Sequence, residues 1–138
     1  MCLYIKKDQK SKICRKDITC YKICDYTYGR LFTFYRCDAI EIGETYISDI
    51  WLHKSSPFVP INLASITKGL HSFVSIKSLL NAVCFNEHIR IIKCIIPKGS
   101  EYYLGEFENK NDAYASNKLK YLEIVDPKII KKIIENKL

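Results

Sequence analysis

The sequence predicts an α+β protein: one strand-rich domain with a twisted, mostly antiparallel sheet, one central helix and one C-terminal helix. β-branched and aromatic residues, above all isoleucine and tyrosine, are abundant, and such residues favour strands. Helical spacing of apolar residues is clear in only two segments. The length of 138 residues suits a single domain over residues 1–138, with residues 126–138 as an appended amphipathic helix.

The first half of the chain is predicted to form short strands separated by polar turns. Alternating apolar and polar residues place these strands at Cys2–Ile5, Ile18–Cys24, Leu31–Arg36, Ala39–Ile42 and Thr45–Ile47. Lys6–Asp17 is polar and is expected to be a loop. His53–Lys68 contains prolines and serines and is expected to be irregular, and loops of this length are often functional.

The centre of the chain is predicted to hold a strand, a helix and a buried strand. Gly69–Val74 is expected to be a short strand, after which Ser75 can cap a helix that runs to Cys84. Ile89–Ile96 is an almost continuous apolar run that ends before Pro97, which is typical of a central strand covered on both faces.

The last third is predicted to add two strands and the final helix. Tyr102–Leu104 and Lys118–Val125 are the expected strands, with a polar loop over Gly105–Asp112 between them. Asp126 followed by Pro127 is a favourable helix start. The apolar stripe of that helix could pack on its own sheet or on a second copy of the chain, so the sequence is also compatible with a homodimer.

Charge and cysteine content narrow the function classes. The net charge is +7, and residues 1–37 hold nine basic against three acidic residues. A polar loop carries most of this excess and is interpreted as a solvated surface, so a nucleic-acid partner is the less favoured interpretation. Seven cysteines, an odd number, and a start without an apolar signal region predict reduced thiols in the cytoplasm. No metal or cofactor is expected, because the cysteines lack zinc-knuckle spacing, and no apolar run is long enough for a membrane span.

No motif of the sequence specifies a reaction. Phosphate-binding glycine loops and nucleophile elbows are absent, and no pair of carboxylates has a spacing that implies catalysis. Among His53, His71 and His88, His71 is the most interesting, because it lies between the irregular stretch and the capped helix. Tyrosines with nearby hydroxyl, amide and ammonium groups suit a polar ring-containing ligand. The predicted ligand-binding residues are Tyr21, Lys22, Arg36, His71, Ser72, Tyr102, Tyr103, Tyr114, Ser116 and Lys118, with no catalytic residue among them.

Two blocks of the sequence, Ile96-Pro97-Lys98-Gly99-Ser100 and Tyr114-Ala115-Ser116, are the most specific parts of a resemblance that runs from about Cys2 to Val125. Through them the chain resembles a family of small proteins encoded by phages and prophages of gut bacteria. The resemblance implies a phage origin and the host cytoplasm as the compartment, but no established activity. Because no catalytic constellation is present, we expect a non-enzymatic counter-defence protein that sequesters a small nucleotide-like signal or binds a host defence protein.

A second resemblance is to ADP-ribosyltransferases. Lys68-Gly69-Leu70-His71-Ser72-Phe73 followed by a helix is similar to their glycine-aromatic element, and Ile96-Pro97-Lys98-Gly99 is similar to a strand and turn of toxin-type members. It implies a split-sheet fold and, as the alternative function, an enzyme acting on NAD. In that enzyme Tyr21, His71 and Glu101 or Glu123 would replace the usual groups, because the first strand lacks the family's His-Gly or Arg and the last strand lacks its Glu-x-Glu pair.

Overall fold

A computed structural model describes residues 3–34, 37–53, 63–107 and 111–136. The described residues form thirteen strands and two helices in the α+β arrangement that the sequence predicts. The strands are β1 (Leu3–Lys6), β2 (Lys12–Ile13), β3 (Ile18–Thr27), β4 (Arg30–Thr33), β5 (Ala39–Ile40), β6 (Thr45–Ile47), β7 (Trp51–His53), β8 (Leu63–Lys68), β9 (Leu70–Phe73), β10 (Ile89–Ile96), β11 (Glu101–Phe107), β12 (Asn111–Ser116) and β13 (Lys118–Ile124). The helices are α1 (Ile76–Ala82), which follows β9, and α2 (Pro127–Asn136), which follows β13.

The strands form one curled antiparallel sheet in the order β6-β13-β10-β3-β9-β12-β11-β1-β8-β7. β2 is added at β11, and β4 pairs with β3 and β5. The two ends of this order, β6 and β7, are consecutive in the chain and only residues 48–50 separate them. A link this short can span no more than about 15 Å between its flanking residues, so the two edges of the sheet must approach each other.

Both faces of the central strands are buried, which explains the apolar run of β10. Ile89 and Ile91 contribute to one core cluster, whereas Ile92, Cys94 and Ile96 contribute to a second cluster on the opposite face. Successive side chains of a strand point to opposite faces, so a strand with two covered faces must be apolar at nearly every position.

The two helices cover the face of the sheet that carries the first cluster, since Leu79 of α1 and Ile130 of α2 are both fully buried in it. The side chain of Ser75 accepts a hydrogen bond from the Ser78 amide at 3.1 Å and caps α1. The carboxylate of Asp126 accepts one from the Lys128 amide at 2.9 Å beside the start of α2. Both helix starts are confirmed.

The largest differences from the predicted boundaries lie in four places. The predicted loop Gly105–Asp112 is largely strand, since β11 continues to Phe107 and β12 begins at Asn111. β2 lies within the predicted loop Lys6–Asp17, and α1 ends at Ala82 rather than Cys84. The predicted irregular stretch begins and ends in strands, β7 and β8, while residues 54–62 lie outside the described part of the chain. β11 also pairs with β1 and β2, which are distant from it in sequence, and local patterns do not reveal such partners.

Within the described residues, neither helix is long and apolar enough to cross a membrane.

Candidate functional site

A cavity lies where two central strands of the sheet separate. β3 pairs with β10 along eight residues but meets β9 at a single pair, Tyr21 with Phe73. Beyond this pair, β3 continues with Lys22 and Ile23, and both residues line a cavity of about 620 Å³. The opposite wall comes from the start of β9 and the end of β8. A volume of this size is typical of small-molecule sites.

Lys22 joins the two separated strands through its side chain. Its Nζ donates a hydrogen bond to the main-chain carbonyl of His71 at 2.8 Å, and both residues line the cavity. No carboxylate of the described residues lies within 4.0 Å of this nitrogen. Desolvation by burial therefore lowers the pKa of Lys22, and no ion pair with an acidic side chain opposes the shift.

His71 contributes its carbonyl to this contact, and its imidazole is buried. Burial is the main cause that lowers the pKa of His71 from 6.5 to about 4, and the positive charge of Lys22 lowers it further. The ring is therefore neutral at pH 7. Within the described residues its Nε2 atom has no hydrogen-bond partner. The prediction singled out His71 for its ring, but the group that binds Lys22 is its peptide oxygen.

Charged residues from three further segments contribute to the cavity lining. Asp38 lies in the β4–β5 connection, where its amide donates to the Thr33 hydroxyl at 2.9 Å. Asp49 lies in the link between the two sheet edges, and Lys68 ends β8 with its ammonium 4.3 Å from the centre of the Trp51 ring. Asp38 and Asp49 are exposed, whereas Lys22 is half-buried, so the acidic groups are the more accessible to solvent.

Aromatic side chains supply part of the apolar surface of the cavity. Phe34 and Tyr46 are half-buried, whereas Phe73 and Tyr121 are almost completely buried. The Tyr46 ring packs edge-on against Tyr121 with centroids 5.3 Å apart, and its hydroxyl accepts a hydrogen bond from the Glu41 amide at 3.0 Å. These contacts hold Tyr46 in place, and its partial exposure leaves ring surface for a planar group.

The structure brings two of the ten predicted site residues, Lys22 and His71, to this cavity. Seven others are described but do not line it: Tyr21, Ser72, Tyr102, Tyr103, Tyr114, Ser116 and Lys118. The remaining one, Arg36, lies outside the described residues.

β9 and β12, which carry the predicted site residues His71, Ser72, Tyr114 and Ser116, are adjacent strands, but these residues are divided between two faces. Tyr114 pairs with Ser72, and Ala115 pairs with His71. Because paired residues share a face and successive residues alternate, Tyr114 and His71 lie on opposite faces of the sheet. Tyr102 packs edge-on against Tyr114, with ring centroids 5.8 Å apart.

Two of the predicted site residues, Ser116 and Tyr103, make contacts within the fold. The Ser116 hydroxyl is buried and donates to the Lys118 carbonyl at 2.9 Å, so its hydrogen-bonding capacity is used within the fold. The Tyr103 ring is buried in the first core cluster.

Sequence reasoning missed Asp38, Asp49 and Tyr46. Each lies in a short turn or edge strand whose local sequence carries no ligand-binding motif. Lys68 was present in the glycine-containing segment singled out by the second resemblance, but it was not chosen as a site residue.

The buried cysteines near Lys22 are protonated thiols. Cys20 and Cys24 flank Lys22 on the same face of β3, and Cys94 of the neighbouring strand β10 is the pairing partner of Cys20. Burial raises the pKa of Cys20 and of Cys24 to about 11, and it raises that of Cys94 as well. Across the described ranges, no group of three or more histidine, cysteine or acidic residues has an arrangement that could hold a metal ion.

No protein-family model, curated protein or solved structure matches the chain.

Proposed function

We propose that the protein binds a small nucleotide-type ligand in this cavity and does not transform it. The observation that carries the proposal is Lys22, which lines a ligand-sized cavity and whose terminal nitrogen has one hydrogen-bond acceptor among the described residues, the His71 carbonyl. Whether charged or neutral, the Lys22 amine keeps at least one further N–H, so an acceptor oxygen of a ligand fits here.

The remaining lining residues match the other parts of a nucleotide. A phosphate or carbonyl oxygen accepts a hydrogen bond from Lys22, and a base packs against Phe34 and Tyr46. The exposed carboxylates of Asp38 and Asp49 accept hydrogen bonds from ribose hydroxyls or an exocyclic amine. The cavity lining contains Lys22 and Lys68 as well as Asp38 and Asp49, so it has no large excess of either charge, and this favours a ligand of low net charge over a polyanion.

We propose that the protein acts in counter-defence, by sequestering a nucleotide-type signal of the host. It is supported by the resemblance to proteins of phages and prophages. A protein that sequesters a signal needs affinity and a sufficient number of sites, and it needs no nucleophile. If the cavity bound no nucleotide, the proposed counter-defence role would be the capture of a host defence protein.

We also propose an ADP-ribosyltransferase-like split sheet as the detailed fold, and an enzyme acting on NAD as the alternative function. A split sheet like that of ADP-ribosyltransferases is supported by the strand β9 followed directly by α1. Of the residues that the enzymatic alternative assigns to transfer from NAD, Tyr21, Glu101 and Glu123 lie outside the cavity lining. For this reason we place binding before catalysis.

Calorimetric titration tests the binding proposal. AMP, ADP-ribose and a cyclic dinucleotide are compared with adenosine, which lacks the phosphate. We expect one site per chain and weaker binding of adenosine. Lys22→Met should reduce affinity about 10- to 100-fold, the usual effect of losing a hydrogen bond to a charged group. Lys120→Met, which changes an exposed lysine outside the cavity, is the matched control. Absence of binding by all three nucleotides, or equal affinity of the Lys22→Met protein, contradicts the proposal.

A further inference from the structure

Among the described residues, no carboxylate lies within 4.0 Å of the Lys22 amine. Its neighbours along the same face of β3 are Cys20 and Cys24, and its partner across β10 is Ile92. The two thiols are protonated at neutral pH, because burial raises the pKa of each to about 11. No carboxylate of the described segments pairs with the amine.

These surroundings shift the Lys22 amine towards the free base, compared with a lysine in water. Removing an ammonium from water is costly unless an opposite charge compensates, and burial lowers the pKa of Lys22 accordingly. The hydrogen bond to the His71 carbonyl uses one N–H of the amine. A neutral primary amine then retains a second N–H and its lone pair, which is the form that attacks carbonyl carbon.

We propose, building on the ligand site proposed above, that Lys22 captures a small aldehyde, such as the open-chain form of a sugar, as an imine inside the cavity. The nitrogen lone pair attacks the aldehyde carbon and forms the new C–N bond. A proton passes from nitrogen to the former carbonyl oxygen to give a carbinolamine. Loss of one water molecule then leaves the C=N bond, and no oxidant or reductant takes part.

The cavity supplies the features that such a capture needs. Its volume of about 620 Å³ admits a sugar-sized molecule, and Asp38 and Asp49 can accept hydrogen bonds from sugar hydroxyls. Lys118 and Lys120 are exposed and do not line the cavity, so neither combines a ligand-sized pocket with a partly buried amine. Lys22 should therefore react ahead of them despite being less accessible.

Site mapping with pyridoxal 5′-phosphate, an aldehyde probe, tests the proposal on the whole protein. The probe is added in less than molar equivalence at pH 7, any imine is reduced with sodium borohydride, and the modified lysines are identified by peptide mass spectrometry. We expect Lys22 to carry at least about 10 times more label than Lys120, since Lys22 lines the cavity and burial shifts its amine towards the nucleophilic free base. Pyridoxine 5′-phosphate, which has an alcohol in place of the aldehyde, is the matched control and should leave no label.

The labelling pattern of the wild-type protein alone tests whether Lys22 forms the imine. Label spread evenly over exposed lysines, or none on Lys22, overturns the inference. Lys22→Arg should remove this adduct and leave the label on the other lysines unchanged, and an altered pattern at those lysines would contradict a local effect. Nucleotide binding by calorimetry is scored separately. Binding without an adduct overturns the imine alone, and an adduct without nucleotide binding overturns the nucleotide proposal alone.

Discussion

Acidification from pH 7 towards pH 4 should destabilise this protein through His71. The folded-state pKa of His71 is about 4, against 6.5 for an exposed histidine. As pH falls, the unfolded chain therefore binds this proton first, and unfolding becomes more favourable. The contribution of His71 to the free energy of unfolding is complete above pH 6.5, is lost progressively towards about pH 4, and is constant below that. The difference corresponds to about 3 kcal/mol.

Urea unfolding at pH 7 and at pH 4.5 measures this loss. His71→Leu keeps a buried side chain without a titrating group, so most of the decrease between the two pH values should disappear. The exposed His88 provides the control, because His88→Gln should keep the decrease of the wild type. A His71→Leu protein that loses as much stability as the wild type would show that other groups cause the acid sensitivity. A direct NMR titration of the His71 ring in the folded protein should show no protonation at pH 6.

Two further predictions concern the sheet and the final helix. A side-chain carbon at Gly105 would collide with the Tyr4 carbonyl on β1, so Gly105→Ala should lower the free energy of unfolding by about 1–3 kcal/mol in urea, and a loss below about 0.5 kcal/mol would refute this close approach. Ile130 of α2 is fully buried whereas its neighbour Ile129 is 51% exposed, so Ile130→Ala should cost about 2–4 kcal/mol and Ile129→Ala much less. Equal losses in the two variants would mean that α2 does not contribute to the core.

Local sequence patterns predicted those elements whose cause is local. The run Ile89–Ile96 and the caps at Ser75 and Asp126 appear where the sequence indicates, because burial of both faces and helix capping leave a clear pattern. The strand at Gly105 was missed for the opposite reason. A glycine within a polar segment is typical of a loop, and only the close approach of a strand about 100 residues earlier explains its presence in β11.

The site was predicted less well than the fold, since its residues are brought together by strand pairing. Lys22 and His71 were among the predicted residues, but their contact depends on β3 and β9 separating after one pair. Nothing in either segment alone indicates that separation. Tyr114 was selected for its ring and for the polar groups that follow it in sequence, and the register places it on the opposite face of the sheet from His71.

The topology itself explains why the cavity lies at this place. The link that contains Asp49 joins the two edges of the sheet, so the curl brings an edge connection over the central strand that carries Lys22. The β4–β5 connection adds Asp38 from a third direction.

A ligand that contacts Lys22, Asp38 and Asp49 would connect the centre of the sheet, its joined edges and an outer hairpin. Binding would then oppose the opening of the curled sheet, and the energy of several weak contacts would depend on the closed arrangement. Affinity and closure of the sheet should therefore rise or fall together, even though no single lining residue forms a recognisable motif.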